Sequence, residues 1–260
     1  EHREEGGTPG IIESIRGAMA ISIPKQVGYD VIAKREKQHV EKAEAQLQAA
    51  PGLELLGPAS AKRLPIFSLR FRSDEGELHY GFVVRLLNDL FGIQARGGCS
   101  CAGPYGHTLL DLTPEHSEAL AAEVTRGFGC LRPGWVRFNL HWLSNEEEVD
   151  YVLRAMTLIA RWGSRLLPSY TLDTKTGLWQ HREFQEAPPA SLDDFMLADP
   201  QKVLSPSCAS PVELLDIAEQ ALSSGAPHHH HLQATEAHHK TPWPSQAEAL
   251  CWFLRPHDAS

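Results

Sequence analysis

The chain has no uncharged apolar run approaching the roughly 20 residues a membrane-spanning helix needs. Its first residues, Glu1-His2-Arg3-Glu4-Glu5, have neither the basic nor the apolar region of a secretory signal. No membrane association is expected, and a cytoplasmic setting is. Cysteine is scarce: five residues, an odd number scattered apart from one close pair, in a chain of 260 residues that is too long to need covalent staples. Reduced thiols are therefore expected. Positive charge is in deficit, with 24 Lys and Arg against 33 Asp and Glu and a net charge of -9. That balance argues against an unspecific polyanion binder, so nucleic acid is not an expected partner. The first residue is Glu rather than Met, as in a fragment or a processed piece.

What the chain does have is a globular composition, 42% apolar and 22% charged, with length enough for one or two domains around a sizeable core. Gly6-Gly7-Thr8-Pro9 reads as a loop with Thr8 as N-cap and Pro9 at the first helical position; the helix that follows is expected to stop at Pro24. A charge-rich helix is expected from Val27 to about Ala50, with Lys34, Arg35, Glu36, Lys37, Glu41 and Lys42 away from its apolar side. Leu64 to Phe71 alternates like a half-buried strand, and Tyr80 to Phe91 reads as a helix closed by Gly92. A short strand at Ile93 to Arg96 should lead into Gly97 to Pro104, too rich in glycine for helix or strand. Pro114 to Val124 looks helical, Trp135 to Leu140 strand-like, and Asn145-Glu146-Glu147-Glu148 opens an acidic-first helix. The order implies an α/β sandwich.

Beyond about Leu167 the character changes. Residues 165 to 260 hold ten of the 18 prolines, and six of the 14 histidines fall between His228 and His239. Only Pro211 to Leu222 keeps a helical apolar pattern. The expectation is a largely irregular tail that adds little to the stability of the rest. Flexible imidazoles of this kind could bind Zn, Ni or Cu, but the histidine run is read as a low-complexity tail of unselected composition.

Chemistry concentrates in Arg96 to His107. Two thiols, Cys99 and Cys101, stand beside an arginine that could lower a thiol pKa, although small buried cysteines in a tight turn would look the same. His107 adds a third ligand type, but three groups in one loop do not close a tetrahedral zinc site. Arg137 could hold a carboxylate through two parallel hydrogen bonds or pair with the acidic start at Glu146 to Glu148. Thr8 could serve an anion or simply cap its helix.

Three stretches, in one order, resemble the C-terminal part of the class V aminotransferases, the fold type I pyridoxal-phosphate enzymes that include the cysteine desulfurases. Arg3-Glu4-Glu5-Gly6-Gly7-Thr8-Pro9 resembles the turn whose threonine reaches across the dimer to the neighbouring cofactor phosphate. Arg96-x-Gly98-x-x-Cys101 is similar to the loop that carries the nucleophilic cysteine, with Cys101 rather than Cys99 at that position. Arg137, followed by Ser144-Asn145-Glu146-Glu147-Glu148-Val149-Asp150, resembles the arginine that grips the substrate carboxylate. The likeness covers about residues 1 to 163.

The resemblance implies a small α/β domain over residues 24 to 166, with an antiparallel or mixed sheet flanked by helices. Residues 1 to 23 would form a cofactor-side segment and residues 167 to 260 the tail. It also implies a homodimer, an amino-acid substrate and pyridoxal 5'-phosphate in the complete enzyme. Cys101 would be catalytic, Arg137 and Arg96 would bind substrate, Thr8 and Gly7 would border the cofactor, and no residue would bind metal. The family's Schiff-base lysine, in a Ser-x-His-Lys setting, precedes these motifs; none of the eight lysines here lies upstream of Gly6. The chain alone is thus expected to be inactive, with transamination, desulfuration and lyase chemistry all open. The rival reading is a noncatalytic, truncated module that dimerises or binds.

Overall fold

In the computed structural model, residues 6–8, 10–58, 61–99, 103–183, 210–225 and 243–258 are described. Helix α1 (Ile11–Val27) runs through Pro24 instead of stopping there, since a proline removes one N–H bond and a helix can absorb that loss. The break comes at Gly28, whose φ of 96° is open to glycine and strained for other residues. Thr8 does not cap α1: the N-cap is Gly10, with no side-chain bond. Nothing on α1 is buried, and its row Ile11, Ile15, Met19, Ile23 and Val27 is exposed.

Helix α2 (Tyr29–Ala49) buries His39, Ala43 and Leu47, one residue per turn on a single stripe. Strands β1 (Leu53–Leu55), β2 (Ile66–Ser73) and β3 (Gly76–Leu78) follow, and then α3 (Tyr80–Phe91), closed by Gly92 as expected. Gly97 and Gly98, expected in a loop, belong to β4 (Arg96–Gly98), and Gly103-Pro104 open α4 (Gly103–Leu109). Close packing explains the glycines: a Cβ on Gly97 would lie 2.7 Å from the Tyr80 ring, and one on Gly134 would lie 2.6 Å from the Cα of Gly98. Helix α5 (Pro114–Thr125) is capped by Thr113 and leads towards β5 (Trp135–Asn139). Helix α6 (Glu146–Trp162) begins with a capping box between Asn145 and Glu148.

The five strands β1 to β5 form one antiparallel sheet. Leu69 of β2 pairs with Leu55 of β1 and with Val136 of β5, so these strands flank β2 on opposite edges; β4 lies beyond β5. One face carries Phe67, Leu69, Phe71, Val136 and Phe138, all buried, with Phe67 and Phe138 stacked at 5.2 Å. Helices α3 and α6 pack on β2, and α2 packs on β1 and α6. Period-2 alternation leaves Ser68, Arg70, Arg137 and Asn139 on the other face.

The core continues well beyond Leu167. A hairpin of β6 (Tyr170–Leu172) and β7 (Trp179–His181), helix α7 (Pro211–Ser224) and helix α8 (Ser245–Ala249) follow. Tyr170, Trp179, Leu222, Phe253 and Leu254 are buried in the same cluster as the sheet. The expectation of a tail that adds little to the packed structure is therefore corrected for these residues, while the helical pattern at Pro211 to Leu222 is present as α7. The histidine run from His228 to His239 lies outside the described residues. Among the described residues no helix is long and apolar enough to cross a membrane.

His79, fully buried, ties these parts together. Its Nδ1 accepts from the backbone N–H of Gly81, capping α3, and from the Trp179 indole N–H, each at 3.0 Å. Nε2 must then carry the proton, which it donates to the carbonyl of Cys130 at 3.1 Å. Tyr80, Trp179, Trp252 and Phe253 surround the ring. Burial among these aromatics holds its pKa down at about 3.

Candidate functional site

The antiparallel register sets Arg96 of β4 directly opposite Arg137 of β5. Residues paired in this way share a face, with side chains close enough to interact. Two like charges so placed repel, yet neither guanidinium has an ion pair or hydrogen bond among the described residues. The ion pair of Arg137 with Glu146 to Glu148 does not form. Glu146 instead binds Arg35 at 3.2 Å and Lys42 at 3.1 Å, and Glu148 accepts from the backbone N–H of Asn145 at 3.0 Å.

Both arginines line a concavity of about 590 Å³ at the end of the sheet where β2 begins and β5 finishes. Leu64, Pro65, Ile66 and Leu140 supply apolar wall; Glu36, Gln94, Asn139 and His141 add polar groups. Two unpaired, forked donors in a partly apolar hollow suit a carboxylate or another small anion. Register brings Arg96 and Arg137 together, although they are 41 positions apart in sequence. Glu36, Gln94, Asn139 and His141 are not singled out by the sequence; on a helix full of charges Glu36 reads as one more solvated group.

The other expected site residues are placed differently. Gly7 and Thr8 are exposed and do not line the concavity. Cys101 lies outside the described residues, and Cys99 is half-buried at the end of β4. Cys130 is buried, and burial pushes its thiol up to about 12; burial raises Cys251 as well. Neither is an available thiolate near neutral pH. His107 shares a hydrogen bond with the Ser117 hydroxyl at 3.1 Å. Among the described residues no group of three or more His, Cys, Asp or Glu side chains could hold a metal ion.

Pyridoxal phosphate, implied by the resemblance, does not fit the described residues by themselves. Among the described residues no lysine lines the concavity, so none of them offers an amine there to bond a cofactor aldehyde. Gly6 and Gly7 border open space and form no closed phosphate cradle. The described donor set suits an anion and supplies no covalent anchor.

A model of the family "Aminotransferase class-V" matches residues 1–152. A probable cysteine desulfurase of Staphylococcus aureus (strain Mu50) is 31% identical over 100 residues, and another of Staphylococcus epidermidis (strain ATCC 12228) matches to the same extent. Each match covers 38% of this chain and 23% of the relative's length. Arg96 and Arg137 both lie within the matched family region, and the α/β architecture with its antiparallel sheet agrees with it: the chain belongs to the class-V aminotransferase family.

Proposed function

We propose that the chain supplies the substrate-carboxylate side of a cysteine-desulfurase-like, pyridoxal-phosphate-dependent enzyme that acts on an amino acid. The observation that carries this reading is the pair of arginines, Arg96 and Arg137, that face each other in one hollow without a partner among the described residues. In this reading Arg137 grips the substrate carboxylate and Arg96 stands beside it as a second cation. Cys101 is the nucleophile, and Gly7 and Thr8 border the cofactor phosphate across a homodimer. The exposed apolar row on α1 supports an interface of some kind on that side of the chain. Reduced thiols are consistent with a cytoplasmic setting.

When bound, the cofactor would provide the electron sink for the reaction; this chain's own residues bind and orient substrate. The test is a titration of the full chain with L-alanine, followed by NMR. Millimolar binding is expected, weakened about tenfold or more in Arg137→Ala, since a charge-assisted hydrogen bond is worth roughly 1.5–3 kcal/mol. The variant should fold, because Arg137 has no partner among the described residues to leave stranded and its removal relieves a repulsion. Unchanged binding in Arg137→Ala would remove the proposed grip.

A second expectation follows from the lack of a lysine in the site among the described residues. Pyridoxal phosphate added to the chain and reduced with borohydride should label exposed lysines diffusely, as peptide mapping reads it. Stoichiometric labelling of one lysine would show that the chain anchors the cofactor unaided.

A further inference from the structure

A third unpaired charge lines the same hollow. Glu36, half-buried on α2, has no ion pair or hydrogen bond among the described residues. Its neighbours are engaged: Arg35 with Glu146 and with the carbonyl of Ser144, Lys37 with Glu41, and Lys42 with Glu146 and Asp150. Among the described residues Glu36 forms no ion pair with Arg96 or Arg137. The site thus presents two positive poles side by side and one separate negative pole, in a space of about 590 Å³.

A plain zwitterionic amino acid would satisfy one arginine and the glutamate and leave the second arginine bare. A ligand with two anionic groups and one ammonium matches all three charges and leaves the site neutral. Cα atoms of residues paired across antiparallel strands are about 4.5–5.5 Å apart, so the two guanidinium groups start close enough to serve two anions on one small molecule. Resting on the reading of Arg137 as the carboxylate grip, we propose that the hollow selects an acidic α-amino acid. Its α-carboxylate would lie on Arg137, its side-chain anion on Arg96 and its ammonium towards Glu36.

The experiment titrates the full chain with L-aspartate, L-asparagine and succinate, by calorimetry or NMR. Aspartate and asparagine have nearly the same shape and differ in one charge; succinate keeps both carboxylates and lacks the ammonium. Aspartate should bind about fivefold or more tighter than asparagine, a modest ratio because the poles are partly solvated. Arg96→Ala should abolish that ratio while asparagine still binds. Aspartate should also bind more tightly than succinate, and Glu36→Gln should erase that preference. Equal affinities for aspartate and asparagine, both lost in Arg137→Ala, would overturn the acidic-substrate inference and leave the carboxylate grip standing. Binding that ignores Arg137, or no binding of any of the three, would overturn both. An aspartate preference that survives Arg96→Ala would remove Arg96 from the role given to it, and with it the inference.

Discussion

Lowering the pH from 7.5 to 5 is expected to cost the folded chain about 2 kcal/mol through His79 alone. The imidazole has an ordinary pKa of 6.5 once exposed in the unfolded chain and stays neutral in the fold down to about 3. Between those values the unfolded state binds a proton that the folded state refuses. Stability is therefore intact above about 6.5 and falls by up to about 1.4 kcal/mol per pH unit below it. His39, buried on α2, has its pKa lowered first by burial and then by Arg35, so it acts in the same direction. Urea unfolding at the two pH values reads the effect. His79→Phe should flatten the pH dependence while losing the cap on α3 and the acceptor for Trp179, at roughly 1 kcal/mol for each bond. A wild-type midpoint that does not move between pH 7.5 and 5 would contradict the neutral, doubly accepting imidazole.

The second large effect concerns the chain beyond Leu167. Deleting residues 167 to 260 should abolish cooperative folding, because Tyr170, Trp179, Leu222 and Phe253 leave the common core. At roughly 1.5–3 kcal/mol for each buried side chain, the upper-bound loss is about 6–12 kcal/mol, comparable with the whole stability of an ordinary domain. Leu222→Ala tests the same packing more gently, and a loss of about 2–5 kcal/mol is expected. Limited proteolysis and thermal melting decide it. A deletion product as resistant and as heat-stable as the full chain would show that α7 and the β6–β7 hairpin are ornaments on an independent domain.

How much of this was legible in sequence depends on what each feature rests on. Helix α3 is legible to both ends because its apolar residues keep a 3.6 period and Gly92 closes it. The start of α6 is legible because Asn145 and Glu148 form a local, reciprocal cap. Strands β1, β3, β6 and β7 are three residues each, too short for alternation to register. Pro24 misleads because a proline's local penalty says nothing of what the surrounding turns can absorb. The tail misleads because its buried residues come in small groups between prolines. At the site, Arg137 and Arg96 stand out by motif, but their confrontation is a matter of strand register. Glu36 and His79 carry no sequence signal at all; one gains meaning from the hollow it borders and the other from the rings that enclose it.

Helix α1 has a consequence for how this chain associates. It is 17 residues long, contains Gly17 and Pro24, and buries none of its side chains. An isolated helix of that length is marginal in water, so its hydrogen bonds should open more readily than those of the buried α6, and its amide protons are expected to exchange first. A surface that covers the row from Ile11 to Val27 therefore also shifts a helix–coil equilibrium. Part of the contact energy is spent on ordering, which makes affinity at α1 lower than its apolar area suggests and sensitive to any change in helix propensity far from the contact itself.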